Sequence, residues 1–246
     1  MTKFIVFTTP RTGSTLLVKS LDTHPEVFCA GEIFLLSGTQ FHGECSYPFW
    51  KLPLPKKALY LLNYPKMWMG LVQFLNRFYK PVKGENAKGF KMMLFQTYYT
   101  PGLIKYIKKH NIKVILLLRG NILKNTLSDL RARDTGVYHN NGTVVEKLPK
   151  FHVDIDALNK KMAEIARIQK ELENITASMD TLKITYEDFE NWDATMSKVL
   201  NFINVKDIAL PTVSRKLNPD KLEDMIENYG EMAAWLKQKN YAHFLD

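Results

Sequence analysis

Apolar residues fall along the chain in short runs of strand length and in longer stretches at helical spacing. Lys3 to Phe7 is a β-branched and aromatic run, followed by Thr-Thr-Pro-Arg-Thr-Gly-Ser and then by the helix-compatible segment Thr15 to Leu21. That order predicts strand, turn and helix. Ile112 to Leu118 reads Ile-Lys-Val-Ile-Leu-Leu-Leu, the near-continuous apolar composition of a parallel strand covered on both faces, and it too leads through a turn into a helix. Leu182 to Tyr186 is a third strand candidate, and Lys88 to Leu94, with two lysines, a less apolar fourth. From 154 to 180, Leu158, Met162, Ile165, Leu172 and Ile175 recur at helical spacing behind Asp154 and Asp156, acids that favour a helix N-terminus. Helices alternating with strands predict an α/β architecture, a central and mainly parallel sheet flanked by helices.

Residues 40 to 84 interrupt this alternation with Pro48, Pro53, Pro55, Pro65 and Pro81, and with Trp50, Tyr60, Tyr64, Trp68, Phe74, Phe78 and Tyr79. They read as an aromatic-rich helical insertion, or an acceptor-side subdomain, within a single domain spanning residues 1 to 246. The aromatics suit an acceptor pocket, the surface of a homodimer, or the core of a small helical unit; core packing is the ordinary account of such a stripe.

A chain of 246 residues is long enough to bury a sizeable core, and 46% hydrophobic with 24% charged residues excludes disordered, collagen-like and disulfide-scaffold classes. The 34 Lys and Arg against 25 Asp and Glu give a net charge of +9, which favours anionic partners. Cys29 and Cys45, the only two cysteines, form no CxxC or His-rich pattern, so free thiols and no metal are expected. Phe4 to Phe7 is too short for a signal-peptide centre, and the region 58 to 79 is broken by Asn63, Pro65, Lys66, Asn76 and Arg77. A cytoplasmic protein without a transmembrane segment is expected.

The chemistry centres on Pro10-Arg11-Thr12-Gly13-Ser14-Thr15, between a strand and a helix, where backbone N–H groups and the helix N-terminus together hold a phosphate. Gly13 permits close backbone approach, Ser14 and Thr15 offer hydroxyls, and Arg11 supplies a permanent charge able to clamp two oxygens. A capped turn is the bland alternative. The GxxxxGK[ST] pattern is absent, which disfavours a kinase or ATPase.

Thr9 to Leu17, followed by Leu21-Asp22-Thr23-His24-Pro25-Glu26-Val27 and Gly31-Glu32, resembles the 5′-phosphosulfate loop of sulfotransferases that use 3′-phosphoadenosine-5′-phosphosulfate (PAPS). Leu118-Arg119-Gly120-Asn121 with Ser128 is similar to the family's 3′-phosphate motif, Ile184 to Phe189 to its Tyr-Glu-Asp-Leu segment, and Ser214 to Asn218 to a late cofactor-covering loop. The four blocks run in the family's order from about residue 4 to residue 218. Their flavour is that of bacterial carbohydrate-type enzymes, with tyrosylprotein sulfotransferases more distant. The resemblance implies a P-loop-like sulfotransferase fold and PAPS as co-substrate, with no metal. It implies a hydroxyl acceptor, of carbohydrate or lipid type. It further implies that Arg11, Thr12, Gly13, Ser14 and Thr15 hold the 5′-phosphate, and that Arg119, Ser128, Tyr186, Ser214, Arg215 and Lys216 hold the 3′-phosphate and adenosine. Glu32, 21 residues beyond Arg11, stands where those relatives carry a catalytic glutamate and is the expected general base. Two departures stand out. Arg119 and Ser128 are nine apart, where the better-known enzymes use eight. Arg11 replaces the cytosolic enzymes' lysine, so it stabilises charge and does not act as an acid.

Other residues have rival readings. Glu32 without the resemblance is a solvated residue or a helix cap. His24 is expected to close the first helix structurally, and His139 to lie on a surface loop or approach the acceptor. Lys91 is either a site residue at a strand end or a solvated lysine. Arg131 and Arg133 approach the 3′-phosphate or flank a helix end. A non-catalytic nucleotide-binding or nucleic-acid-binding protein is the rival function. Against nucleic acid, the lysines are spread widely, many beside glutamates on the 154 to 180 helix.

Overall fold

The computed structural model describes residues 1–35, 42, 45–48, 64–136, 149–213 and 221–245. Five strands, β1 (Thr2–Thr8), β2 (Val27–Glu32), β3 (Ala87–Met93), β4 (Lys113–Leu118) and β5 (Thr181–Thr185), form one sheet in the order β2-β3-β1-β4-β5. Every pairing is parallel. The four strands expected from the apolar runs are present; β2 was not among them.

Eight α-helices occur among the described residues: α1 (Ser14–Leu21), α2 (Tyr64–Phe78), α3 (Leu94–Tyr99), α4 (Leu103–Lys109), α5 (Ile122–Thr135), α6 (Ile155–Thr176), α7 (Trp192–Phe202) and α8 (Tyr229–Gln238). Alternate residues of the central strands serve opposite faces of the sheet. Phe4, Val6, Ile115 and Leu117 pack with Leu17 and Leu21 of α1 and Val199 of α7. Ile5, Phe7, Val114 and Leu116 pack with Leu71 of α2, Tyr106 of α4 and Leu172 of α6. Right-handed crossovers give this division when the chain turns one way after β1, toward β2, and the other way after β4, toward β5. A third cluster joins Leu127 of α5, Met162 of α6 and Leu236 of α8.

Of residues 40 to 84, the structure describes 42, 45–48 and α2 onward. Helix α2 lies on the crossover from β2 to β3, with Leu71, Leu75 and Phe78 in the sheet's own core. Its aromatics there pack as core: Phe78 lies edge-on to Phe90 at 5.4 Å and Phe74 edge-on to Phe34 at 5.8 Å.

Two neighbouring strands fit because one lacks a side chain. Gly89 of β3 pairs with Phe4 of β1, and a Cβ on Gly89 would lie 2.5 Å from the Phe4 ring. The ring lies fully buried across that gap, a burial worth about 1.5–3 kcal/mol.

The reversal of direction between β1 and β4 leaves a crevice beyond their C-terminal ends, the place where open α/β sheets bind ligands. The loops after both strands meet there.

Candidate functional site

The loop after β1 is pinned before it reaches α1. The Thr8 hydroxyl donates to the Leu117 carbonyl of β4 at 2.7 Å and lies 2.6 Å from the Thr12 hydroxyl, which also contacts the Thr9 carbonyl at 3.0 Å. Arg11 and Gly13 both have positive φ, 64° and 76°. A non-glycine residue in that region is strained by about 1–2 kcal/mol and persists where its surroundings over-determine it. Gly13 has a second constraint, because a Cβ there would come within 2.7 Å of the Tyr186 ring and 3.0 Å of the Phe189 ring. The first turn of α1 contains no acidic residue, so its unsatisfied N–H groups and positive dipole end face the loop unopposed by a carboxylate of that turn. Ser14 is buried there and Thr15 half-buried.

Arg119, at the exit of β4, and α5 clasp this loop. Arg11 Nε donates to Ser128 Oγ at 3.0 Å, Arg119 Nη1 to the Arg11 carbonyl at 3.3 Å, and Asn125 Nδ2 to the Pro10 carbonyl at 3.4 Å. The Arg119 guanidinium lies over the Tyr186 ring, 4.5 Å from its centroid. Its Nε is buried with no hydrogen-bond partner among the described residues. Burial lowers the Arg119 pKa; Tyr186 and Glu187 oppose this, and the positive charge of Arg11 adds to it. An arginine remains protonated through such a shift. Two like charges are thus held together at a crevice, an arrangement that an anion relieves.

Glu32 lies at the end of β2, beyond a register shift that begins after Ala30, and pairs across the sheet with Lys91 of β3. It is neither solvated nor a helix cap. Its Oε1 lies 3.0 Å from Lys91 Nζ, with both side chains 3% exposed, and its Oε2 accepts from Gln96 Nε2 at 2.8 Å. Gln96 is fixed in turn, since its Oε1 accepts from the Met93 N–H at 3.1 Å. Lys91 Nζ also reaches Thr15 Oγ1 at 3.4 Å. The carboxylate is therefore joined to the first turn of α1 through one ammonium group. Lys91 is not a solvated strand-end lysine.

The remaining candidates divide. His24 is structural: Glu26 N–H donates to its Nδ1 at 3.0 Å, so Nε2 carries the proton and donates to the Lys206 carbonyl at 2.9 Å. It ties the end of α1 to a distant loop, where the sequence suggested bonds to the helix's own carbonyls. Arg131 Nη2 donates to the Pro149 carbonyl at 3.0 Å, and Arg133 pairs with Asp129 one turn back at 3.0 Å. Ser214, Arg215, Lys216 and His139 lie outside the described residues. Among the described residues no group of three or more His, Cys, Asp or Glu is placed to hold a metal, and no helix is long and apolar enough to cross a membrane.

Sequence reasoning assigned no role to Asn125, Gln96 or Glu187. Glu187 stood inside the Tyr-Glu-Asp segment, which was the one available signal; Asn125 and Gln96 act through contacts that no local pattern announces.

No protein-family model matches the chain, and no curated protein matches it by sequence. Solved structures that it resembles include a sulfotransferase from Alicyclobacillus acidocaldarius, at 16% identity over 99% of this chain and 96% of that one with a TM-score of 0.49. The sulfotransferase domain from the curacin biosynthetic pathway is similar at 15% identity over 84% and 75%, with a TM-score of 0.49. A mouse sulfotransferase complexed with PAP is similar at 13% identity over 83% and 59%, with a TM-score of 0.46.

Proposed function

We propose that the protein is a sulfotransferase that moves a sulfuryl group from PAPS to a hydroxyl acceptor of carbohydrate or glycolipid type. The observation that carries this reading is the joining of Arg11 and Arg119 at the β1–β4 crevice, through the Arg119 Nη1 bond to the Arg11 carbonyl, with Ser128 against Arg11. The Arg119 Nε, buried without a hydrogen-bond partner among the described residues, suits an anion such as a nucleotide phosphate. PAPS supplies an activated sulfur whose leaving group is a 5′-phosphate.

In this mechanism Arg11, with the backbone and hydroxyls of Thr12, Gly13, Ser14 and Thr15, holds the 5′-phosphate and stabilises the charge it gains as its bond to sulfur breaks. Arg119, Ser128 and Tyr186 hold the 3′-phosphate and adenosine, with Ser214, Arg215 and Lys216 covering them. Glu32 takes the acceptor proton as the new oxygen–sulfur bond forms. Its two existing partners, Lys91 and Gln96, occupy two of the roughly four lone-pair sites that an ionised carboxylate offers.

Incubation with sulfur-labelled PAPS and a panel of sugar and glycolipid acceptors tests this. Label should reach at least one acceptor, and Glu32→Gln should lose about 100-fold or more in turnover, the usual worth of a general base, while keeping its affinity for 3′-phosphoadenosine-5′-phosphate (PAP). Full turnover in Glu32→Gln would remove Glu32 from the mechanism. Absence of transfer by a protein that also fails to bind PAP would overturn the reading.

A further inference from the structure

The turn that carries Arg119 is held by a carboxylate from the neighbouring strand's exit. Glu187 Oε2 accepts from the Gly120 N–H at 2.8 Å, and Oε1 accepts from the Asn121 N–H at 3.1 Å. One carboxylate thus takes two successive backbone donors at the entrance to α5. Such donors are charge-assisted partners for any anion, and here the chain supplies its own. From the other side, Gln169 Nε2 of α6 donates to the Arg119 carbonyl at 2.9 Å. Asn121 then caps α5 by accepting from the Lys124 N–H at 2.8 Å, and its Nδ2 donates to the Phe244 carbonyl at 2.9 Å.

The residues around Glu187 share this task. The Tyr186 N–H donates to the Leu118 carbonyl at 2.8 Å, extending the β4–β5 ladder by one bond and setting the Tyr186 ring beneath the Arg119 guanidinium. Asp188 closes its own turn, accepting from the Thr185 N–H at 2.7 Å and the Thr185 hydroxyl at 3.0 Å. Glu187 is left to bridge the two strand exits. The fit is close, since a Cβ on Gly120 would lie 3.4 Å from Glu187 Oε2.

We propose that Glu187 is a positioning residue for anion recognition: by fixing the backbone of Gly120 and Asn121 it fixes Arg119 against Tyr186, and so sets the preference for a 3′-phosphorylated nucleotide. The inference rests on the reading of Arg119 as the 3′-phosphate holder. It also separates two effects of opposite sign. A carboxylate beside a phosphate site repels the ligand, so a purely electrostatic role predicts that removing its charge tightens binding. A positioning role predicts the reverse. In Glu187→Gln the amide nitrogen brings a donor against a backbone donor, breaking one of the two bonds while removing the charge and keeping the shape.

Calorimetric titration with PAP and with 5′-AMP tests this in the wild type, Glu187→Gln and Gln169→Leu, with thermal melting of each variant alongside. The ratio of PAP to AMP affinity should fall about tenfold in both variants, a change equivalent to about 1.4 kcal/mol, with AMP affinity nearly unchanged. Gln169→Leu loosens the same turn from α6, so it carries the test if Glu187→Gln does not fold. A wild type that fails to prefer PAP over AMP would overturn the Arg119 reading beneath the proposal. A wild type that prefers PAP, with folded variants that keep the preference or bind PAP more tightly, would overturn the positioning role alone.

Discussion

Lys91 Nζ lies 3.0 Å from Glu32 Oε1, and both side chains are 3% exposed. This is a buried ion pair between adjacent parallel strands, placed at their C-terminal ends. Pairing of this kind adds little net stability, yet losing one partner strands a charge away from water and costs about 3–5 kcal/mol.

Lys91→Met should therefore destabilise the protein by about 3–5 kcal/mol, read as a lowered urea midpoint. The double variant Lys91→Met with Glu32→Gln should regain much of that loss, because no unpaired charge remains. Strictly additive losses would mean that the two groups do not stabilise one another.

Gly13→Ala should lose PAP binding. The position combines a φ of 76° with a Cβ approach of 2.7 Å to the Tyr186 ring, so alanine must move the loop, the ring, or both. The left-handed conformation alone costs about 1–2 kcal/mol for an alanine. Calorimetry with PAP and a melting curve check both effects, and unaltered affinity would show that the loop's conformation is not what the nucleotide reads.

Gly89→Ala should destabilise through the sheet's core, by about 1–3 kcal/mol, the usual cost of overpacking. The three atoms nearest the added methyl all belong to the Phe4 ring, the closest at 2.5 Å. Phe4→Leu in the Gly89→Ala background should recover part of the loss, measured by urea unfolding. An equal loss in both backgrounds would place the strain elsewhere.

Legibility in the sequence followed the range of the interactions. Strands β1 and β4 were visible because both of their faces are buried and their apolar runs are nearly continuous, and helix α6 because its buried positions recur at helical spacing. Strand β2 was not: Val27–Glu32 contains Ala30 and Gly31, weak strand formers, and ends on a charge. It is a strand because β3 supplies its ladder from about 60 residues away. The site shows the same division. Arg11, Arg119 and Ser128 were named from motifs and are brought together, the arginine and the serine by a direct 3.0 Å bond. The nine-residue interval between Arg119 and Ser128 does not keep Ser128 from the loop. Gln96, Asn125 and Glu187 reach partners 64, 115 and 67 residues distant through hydrogen bonds, and such bonds impose no spacing on the chain.

The most direct test of the account is calorimetric titration of the wild-type protein and Arg119→Ala with PAP, 5′-AMP and ATP. The wild type should bind PAP in the micromolar range, a standard free energy near −8.2 kcal/mol, and far more tightly than AMP or ATP. Arg119→Ala should weaken PAP far more than AMP. A folded wild type that binds none of the three, or binds PAP no better than AMP, would contradict the central claim that the crevice between β1 and β4 is built for a 3′,5′-bisphosphorylated nucleotide.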